Sequence, residues 1–336
     1  MKHINLLTCT EIRETPEWDK NRFPETEYDI QYNSKEDIIW DCVVTRQNVP
    51  YPCSFRCKEG GVIYTNCEPP SAWPLPHAFT SQFDFLILQN DKVKHPNKIM
   101  HHGFLSWTMG RSFETKKNRF FYDELANLEP EKTKPISIVT SNLMAMPGHV
   151  KRVELIDRLM KDFPGQIDRF GRGFKYVDIK GDALLPYMFH ICIENTYISD
   201  YWTEKFADPI LAQSVPIYAG CTNIQDYFGD EGYIRFDIDD YNSLKKIVAK
   251  ILKDPEGEYK KYKAGLEDLR RTLMEKENLI FFLADYIEKH PSDVVKEYSL
   301  KPMEDCHGFK CQYNWLRLKR FAFKKYYSLF IARNYK

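Results

Sequence analysis

The sequence predicts an α/β protein of two lobes, and three observations support that class. At 336 residues the chain exceeds the length at which a single hydrophobic core keeps growing, so two domains with connecting structure are expected. The first third carries short apolar or alternating runs of strand length, with only weak helical patterns between them. Beyond residue 120 strands alternate with helices, which implies a parallel sheet flanked by helices.

In the first lobe, residues 4–7, 40–45, 62–65 and 83–88 read as strands. Pro69, Pro70, Pro74 and Pro76 each fix φ and lack an amide donor, so 69–76 is a shaped loop at the end of a strand. In the second lobe the order is strand 136–140, helix 150–160, strand 189–193, helix 204–213, strands 215–218 and 233–236, and helix 243–252. Residues 256–289, charged with apolar positions at helical spacing, close this lobe as one broken helix or two consecutive ones. The expected division is 1–120, 121–290 and a tail of 291–336. A cleft between the lobes, at the carboxyl ends of parallel strands, is where a ligand is expected.

Composition narrows the function classes. Hydrophobic residues are 43% and aromatics 15% of the chain, as in a folded globular protein. Forty-eight basic residues balance forty-eight acidic ones, so no net field draws the molecule to nucleic acid and no nucleic-acid partner is expected. The apolar stretch near Met1 is of strand length rather than the core of an export signal. No run approaches the roughly 20 apolar residues of a membrane span. A cytoplasmic protein, soluble or peripheral at the inner membrane face, is expected. The nine cysteines then read as reduced thiols; Cys53, Cys57, Cys306 and Cys311 could hold zinc only if they met in space.

Residues 190–205 run from an apolar strand through a polar loop into a helix. Thr203 suits an N-cap, which puts Glu204 and Lys205 in the first turn, where free amide donors and the helix dipole favour an anion. This reads as a phosphate-binding helix start; an ordinary βα unit with a salt-bridged first turn is the alternative.

Glu194-Asn195-Thr196 followed by Asp200-Tyr201-Trp202-Thr203-Glu204-Lys205 resembles the signature of the α-1,3/1,4-fucosyltransferases, glycosyltransferase family 10. Residues 212–220 resemble the family's Ala-x-x-x-Val-Pro-Ile-x-x-Gly strand, and 167–173 its Asp-x-Phe-Gly-Arg element. The resemblance implies a GT-B architecture: two Rossmann-like domains facing across a cleft, the second binding GDP-fucose and the first supplying acceptor contacts, with inversion at the anomeric carbon. It implies that Glu194 and Asn195 line the donor pocket, that Tyr201 and Glu204 contact sugar or nucleotide, and that Lys205 binds the diphosphate. Ser141 and Asn142 with Lys151 and Arg152 resemble the family's Ser-Asn…Arg element, making Arg152 the second diphosphate cation and Lys151, Ser141, Asn142 and Tyr176 secondary candidates. The implied reaction moves L-fucose to a hydroxyl of an oligosaccharide or glycolipid, as in protein glycosylation or glycolipid and lipopolysaccharide synthesis. Another nucleotide-sugar donor on the same fold, or a non-catalytic carbohydrate- or nucleotide-binding protein, are the competing readings.

Displacement at a sugar carbon needs a base for the acceptor proton and compensation for charge on the leaving diphosphate. Residues 66–71 resemble the family's Asn-x-Glu-Ser-Pro-Ser segment, which implies Glu68 as the base; read without the family, Glu68 is a surface carboxylate before a proline turn. Asp237-Ile238-Asp239 has the spacing of an Asp-x-Asp metal motif, but it precedes a helix that Asp239 or Asn242 would cap, so no metal ligand is assigned and no cofactor is expected. Gly171-Arg172-Gly173 reads as a backbone turn. After Asp305 the tail has no acid, while basic residues interleave with Trp315, Phe321, Phe323, Tyr326, Tyr327 and Phe330. Trp315, Leu318, Ala322, Tyr326 and Leu329 share one helical face, so 309–336 lies on an anionic membrane surface or packs across the first domain.

Overall fold

The computed structural model describes residues 1–9, 16–144 and 147–326. In chain order the first elements are β1 (Lys2–Thr8), β2 (Tyr28–Tyr32), β3 (Ile39–Trp40), β4 (Cys42–Arg46), β5 (Cys53–Lys58), β6 (Val62–Thr65), α1 (His77–Thr80), β7 (Phe85–Leu88) and β8 (Lys98–Met100). Then come α2 (Tyr122–Ala126), β9 (Lys134–Val139), α3 (Pro147–Asp162), β10 (Asp168–Phe170), β11 (Tyr187–Ile193), α4 (Glu204–Leu211), β12 (Val215–Ala219), α5 (Ile224–Phe228) and β13 (Ile234–Arg235). The last are α6 (Tyr241–Lys253), α7 (Pro255–Glu275), α8 (Leu279–Lys289), β14 (Val295–Leu300) and α9 (Phe309–Tyr326).

The chain forms two compact units, Met1–Leu105 with Glu277–Phe321, and Ser106–Lys276 with the residues from Ala322. Unit 1 holds a six-stranded sheet in the order β2-β1-β4-β6-β7-β8, every pair parallel. Its inner strands read as continuous apolar runs because both faces are covered, and β6 is buried along its whole length. A second sheet, β14-β5-β3, packs on the same core, where Trp40, Tyr64, Phe79, Leu86 and Leu300 are each at most 1% exposed.

Unit 2 holds a five-stranded parallel sheet, β10-β9-β11-β12-β13. β11 and β12 are buried at every position, so their carboxyl ends deliver the following loops from a rigid base. The α/β class and the parallel sheets are as the sequence predicts.

The boundaries differ from those expected. The units divide at 105/106 and 276/277 rather than near 120 and 290. The pattern over 256–289 resolves into two helices, broken where Asn278 caps α8 by accepting from Ile280 N at 2.9 Å. α8 then belongs to unit 1, where Phe281 packs on Phe23 at 4.8 Å between ring centroids. β14 pairs antiparallel with β5, and its Val-Lys-Glu-Tyr-Ser-Leu pattern is largely exposed, so no apolar run marks it.

The helical reading of the tail holds through Tyr326, and the last residues of the expected membrane segment lie outside the described ones. Trp315, Leu318 and Tyr326 are exposed. α9 meets the rest of unit 1 through Phe309, which packs against its core, and through Arg320, whose guanidinium donates to Ala72 O at 2.6 Å and Ser71 O at 3.4 Å on the proline loop. Among the described residues no helix is long and apolar enough to cross a membrane. All nine cysteines are free thiols.

Candidate functional site

β11 ends in Glu194, whose side chain is fully buried. A carboxylate there needs partners, and Thr203 supplies them: its backbone N–H donates to Oε1 at 2.8 Å, and its hydroxyl lies 2.8 and 3.0 Å from the two oxygens. The same hydroxyl caps α4, accepting from Lys205 N at 3.3 Å, as the sequence predicts. Lys205 Nζ then lies 3.1 Å from Thr203 Oγ1, 3.2 Å from Glu204 Oε1 and 3.5 Å from Glu194 Oε2.

These contacts set the ionisation of the group. Burial raises the Glu194 carboxyl above its ordinary value, with Lys205 opposing it. Burial also acts to raise Glu204, but Lys205 and Lys180 outweigh it and hold that carboxyl at about 2. Burial acts to lower Lys205, and the two carboxylates reverse this and keep its ammonium charged above the usual lysine range.

Arg152 comes from the inner face of α3 and is buried, its guanidinium donating to Asn195 Oδ1. Burial depresses its ionisation, while Tyr197 and Glu194 support the charge. α3 can approach the loop after β11 this closely because Gly148 lacks a side chain: a Cβ there would lie 2.0 Å from Asn195 O. Gly220 does the same above Glu194, where a Cβ would stand 2.4 Å from Tyr218 Oη and 2.5 Å from Glu194 Cγ.

Arg152, Lys180 and Lys205 line one void of about 10 Å³, room for about one water. A larger depression of about 630 Å³ opens at the ends of β12 and β13, lined by Lys151, Tyr197, Gly220, Arg235, Asp237 and Asp239 among others. Its size is that of a small-molecule site. Lys151, next to Arg152 in α3, and Tyr197, in the loop after β11, line this hollow, whereas Arg152, Lys180 and Lys205 line the small void.

The remaining candidates fall as follows. Tyr201 is buried, close enough to Arg152 to act on its ionisation. Lys151 is exposed and pairs with Asp239, 2.7 and 2.9 Å from its two oxygens. Ser141 and Asn142 form the loop after β9, and Asn142 N donates to Arg172 O at 3.3 Å. That contact uses the expected turn, in which Gly171 (φ 115) and Gly173 (φ 89) take positive φ. Tyr176 is 61% exposed and donates to Glu114 at 3.0 Å. The α6 cap is Asp240, accepting from Ser243 N at 3.0 Å, rather than Asp239 or Asn242; Asp237 accepts from Asp239 N at 2.9 Å.

Glu68 lies in unit 1, half-buried after β6. Asn66 folds the segment, accepting from Glu68 N and donating to Glu68 O, both at 3.1 Å, and Gln89 donates to the same carbonyl at 3.1 Å.

Sequence reasoning missed Lys180 and Asp208. Lys180 donates to Asp208 Oδ2 at 2.7 Å and Glu204 O at 3.3 Å, and Asp208, fully buried, also accepts from Thr108 N and Oγ1 at 2.9 and 2.6 Å. Only the position of Asp208 on the apolar face of α4 could have signalled a buried partner.

Residues 129–289 match the family model for the glycosyltransferase family 10 (fucosyltransferase) C-terminal domain. Over 235 residues the chain is 34% identical to the human 4-galactosyl-N-acetylglucosaminide 3-alpha-L-fucosyltransferase 9, covering 67% of this chain. It spans 56% of the length of that relative. Over 111 residues it is 31% identical to an alpha-(1,4)-fucosyltransferase of Arabidopsis thaliana, covering 32% of this chain and 27% of that protein. A solved alpha1,3-fucosyltransferase with GDP-fucose aligns at TM-score 0.49 and 15% identity, covering 87% of this chain and 91% of the other. Residues 129–289, which run from unit 2 through α8 of unit 1, therefore belong to the glycosyltransferase family 10 (fucosyltransferase) C-terminal family.

Proposed function

We propose that this protein is an inverting GT-B glycosyltransferase that moves L-fucose from GDP-fucose to a hydroxyl of a glycan or glycolipid acceptor. The observation that carries the reading is the buried group at the end of β11, in which Glu194, Thr203 and Lys205 fix the start of α4 beside Arg152 and Asn195. A helix start with fixed cations favours an anion such as the diphosphate of a nucleotide sugar. Arg152 and Lys205 offset charge on that leaving group, so no divalent metal or other cofactor is required. The hollow lined by Lys151, Tyr197 and Gly220 is of a size for a small-molecule ligand such as the nucleotide. Glu68 of unit 1 is the base that takes the acceptor proton. Exposed Trp315, Leu318, Phe321 and Tyr326 on α9, with Arg317, Lys319 and Lys325 on the same helix, support contact with an anionic membrane surface at the cytoplasmic face.

The test is a panel of nucleotide sugars in a thermal-shift assay, followed by donor hydrolysis without acceptor. GDP-fucose is expected to stabilise most and to be hydrolysed slowly. Stabilisation by a different sugar nucleotide would change the donor, and binding with no turnover under any condition would make the chain a binding protein.

A further inference from the structure

A second cluster, in unit 1, takes no part in the proposed transfer. His101 Nε2 lies 3.1 Å and His102 Nε2 3.2 Å from the same Oε2 of Glu277, and the three donor atoms lie within 4.8 Å of one another. The His102 side chain is 1% exposed and that of Glu277 10%. Among the described residues this is the one group of three or more His, Cys, Asp or Glu side chains within common ligand reach.

Neighbouring residues of an extended chain send their side chains to opposite faces. Here both imidazoles converge because the chain turns at once, with Gly103 at φ 79 and Phe104 at φ 57. A non-glycine residue in that region costs of order 1 kcal/mol and persists only where its surroundings hold it. Arg46 Nη2 donates to Phe104 O at 2.6 Å, and Gly103 O accepts from Thr65 Oγ1 and from Cys67 Sγ, the latter at 3.0 Å. The Phe104 ring then backs both imidazoles, with centroids 4.4 and 4.9 Å away. Glu277 is fixed from its own side by Asn278, which caps α8 and donates to Glu17 O at 2.9 Å.

Two imidazoles and one carboxylate are the donor set of three-ligand zinc sites, whose fourth position takes water. Bonds of 2.0–2.1 Å require a tetrahedral edge of about 3.3 Å, and two of the edges here are 3.1 and 3.2 Å. We propose that His101, His102 and Glu277 form a binding site for a divalent transition cation, with zinc the ion that the donor set fits best. The ligands sit where the chain leaves unit 1 and where it returns, at 105/106 and 276/277, so the ion closes a long loop and ties α8 to the segment after β8. The transfer proposed above assigns it no step.

The test uses the full chain, stripped with chelator and titrated with zinc by calorimetry and with cobalt by absorption. One site per chain is expected, with affinity reduced about 100-fold or more in His102→Ala and in Glu277→Gln. Zinc should raise the melting temperature of the wild type and leave that of His101→Ala/His102→Ala unchanged. The nine cysteines are the competing donors, so the cobalt spectrum should lack a thiolate charge-transfer band. Absence of binding, unchanged affinity in the double variant or a thiolate band would overturn the site. Should the double variant fail to fold, X-ray absorption of the zinc-loaded wild type decides: nitrogen and oxygen neighbours alone support the site, and sulfur neighbours overturn it.

Discussion

Lys205→Met removes the ammonium and keeps most of the stem, so it isolates the charge that Glu194 and Glu204 share. Glu194 is fully buried and would retain the three Thr203 contacts but lose the cation 3.5 Å away. Breaking a buried pair costs about 3–5 kcal/mol. The Lys205 side chain is 23% exposed and Arg152 still acts on Glu194, so a loss of about 2–3 kcal/mol at pH 7 is expected.

The sign with pH follows from both carboxyls. Glu204, held at about 2, contributes stability above its ordinary value of 4.5 that is lost as pH falls through about 2. Glu194, raised above 4.5, opposes folding increasingly as pH rises through its folded value, and more so without Lys205. The difference between wild type and variant is therefore full at neutral pH and closes in acid. Urea unfolding from pH 7.5 down to pH 3.5 measures it, and Glu194→Gln added to Lys205→Met should recover much of the loss. A loss below about 0.5 kcal/mol at neutral pH, or a difference that does not narrow in acid, would refute the reasoning.

Gly220→Ala places a Cβ 2.5 Å from Glu194 Cγ and 2.4 Å from Tyr218 Oη, so chemical denaturation should show about 2 kcal/mol or more of destabilisation, with nucleotide binding weakened in calorimetry. Glu68→Gln keeps shape and donor binding but accepts no proton, so transfer should fall about 10²–10⁴-fold and the acidic limb of the pH–rate profile should vanish; wild-type transfer with that limb intact would assign the base elsewhere. Trp315→Ser/Leu318→Ser should lower affinity for phosphatidylserine vesicles in co-sedimentation while leaving the melting temperature of the fold unchanged, because both side chains are more than half exposed.

What was legible in the sequence is what local pattern determines. The buried strands β6, β11 and β12 announce themselves as apolar runs because both faces of a parallel sheet are covered. Thr203 was readable as a cap because its type and the start of an apolar helix coincide. The illegible parts depend on partners distant in sequence. The Lys180–Asp208 pair joins two elements that no spacing rule connects. β14 finds β5 some 240 residues away through an exposed, charged pattern. The cap of α6 was read as Asp239 or Asn242, and only the backbone geometry selects Asp240. In the tail, the helix was evident but its packing face was not: the exposed arc is the one predicted to be apolar, and the contacts come from Phe309 on the core and from Arg320, to which the proline loop offers two carbonyls.

Calorimetric titration of the full chain with GDP-fucose, alongside Arg152→Ala, tests the central claim most directly. One binding event per chain is expected, with affinity reduced at least about tenfold in the variant, because a charge-assisted donor to the diphosphate is worth about 1.5–3 kcal/mol. No binding of GDP-fucose by the wild type, or equal affinity in a folded Arg152→Ala, would contradict the placement of the donor at the end of β11.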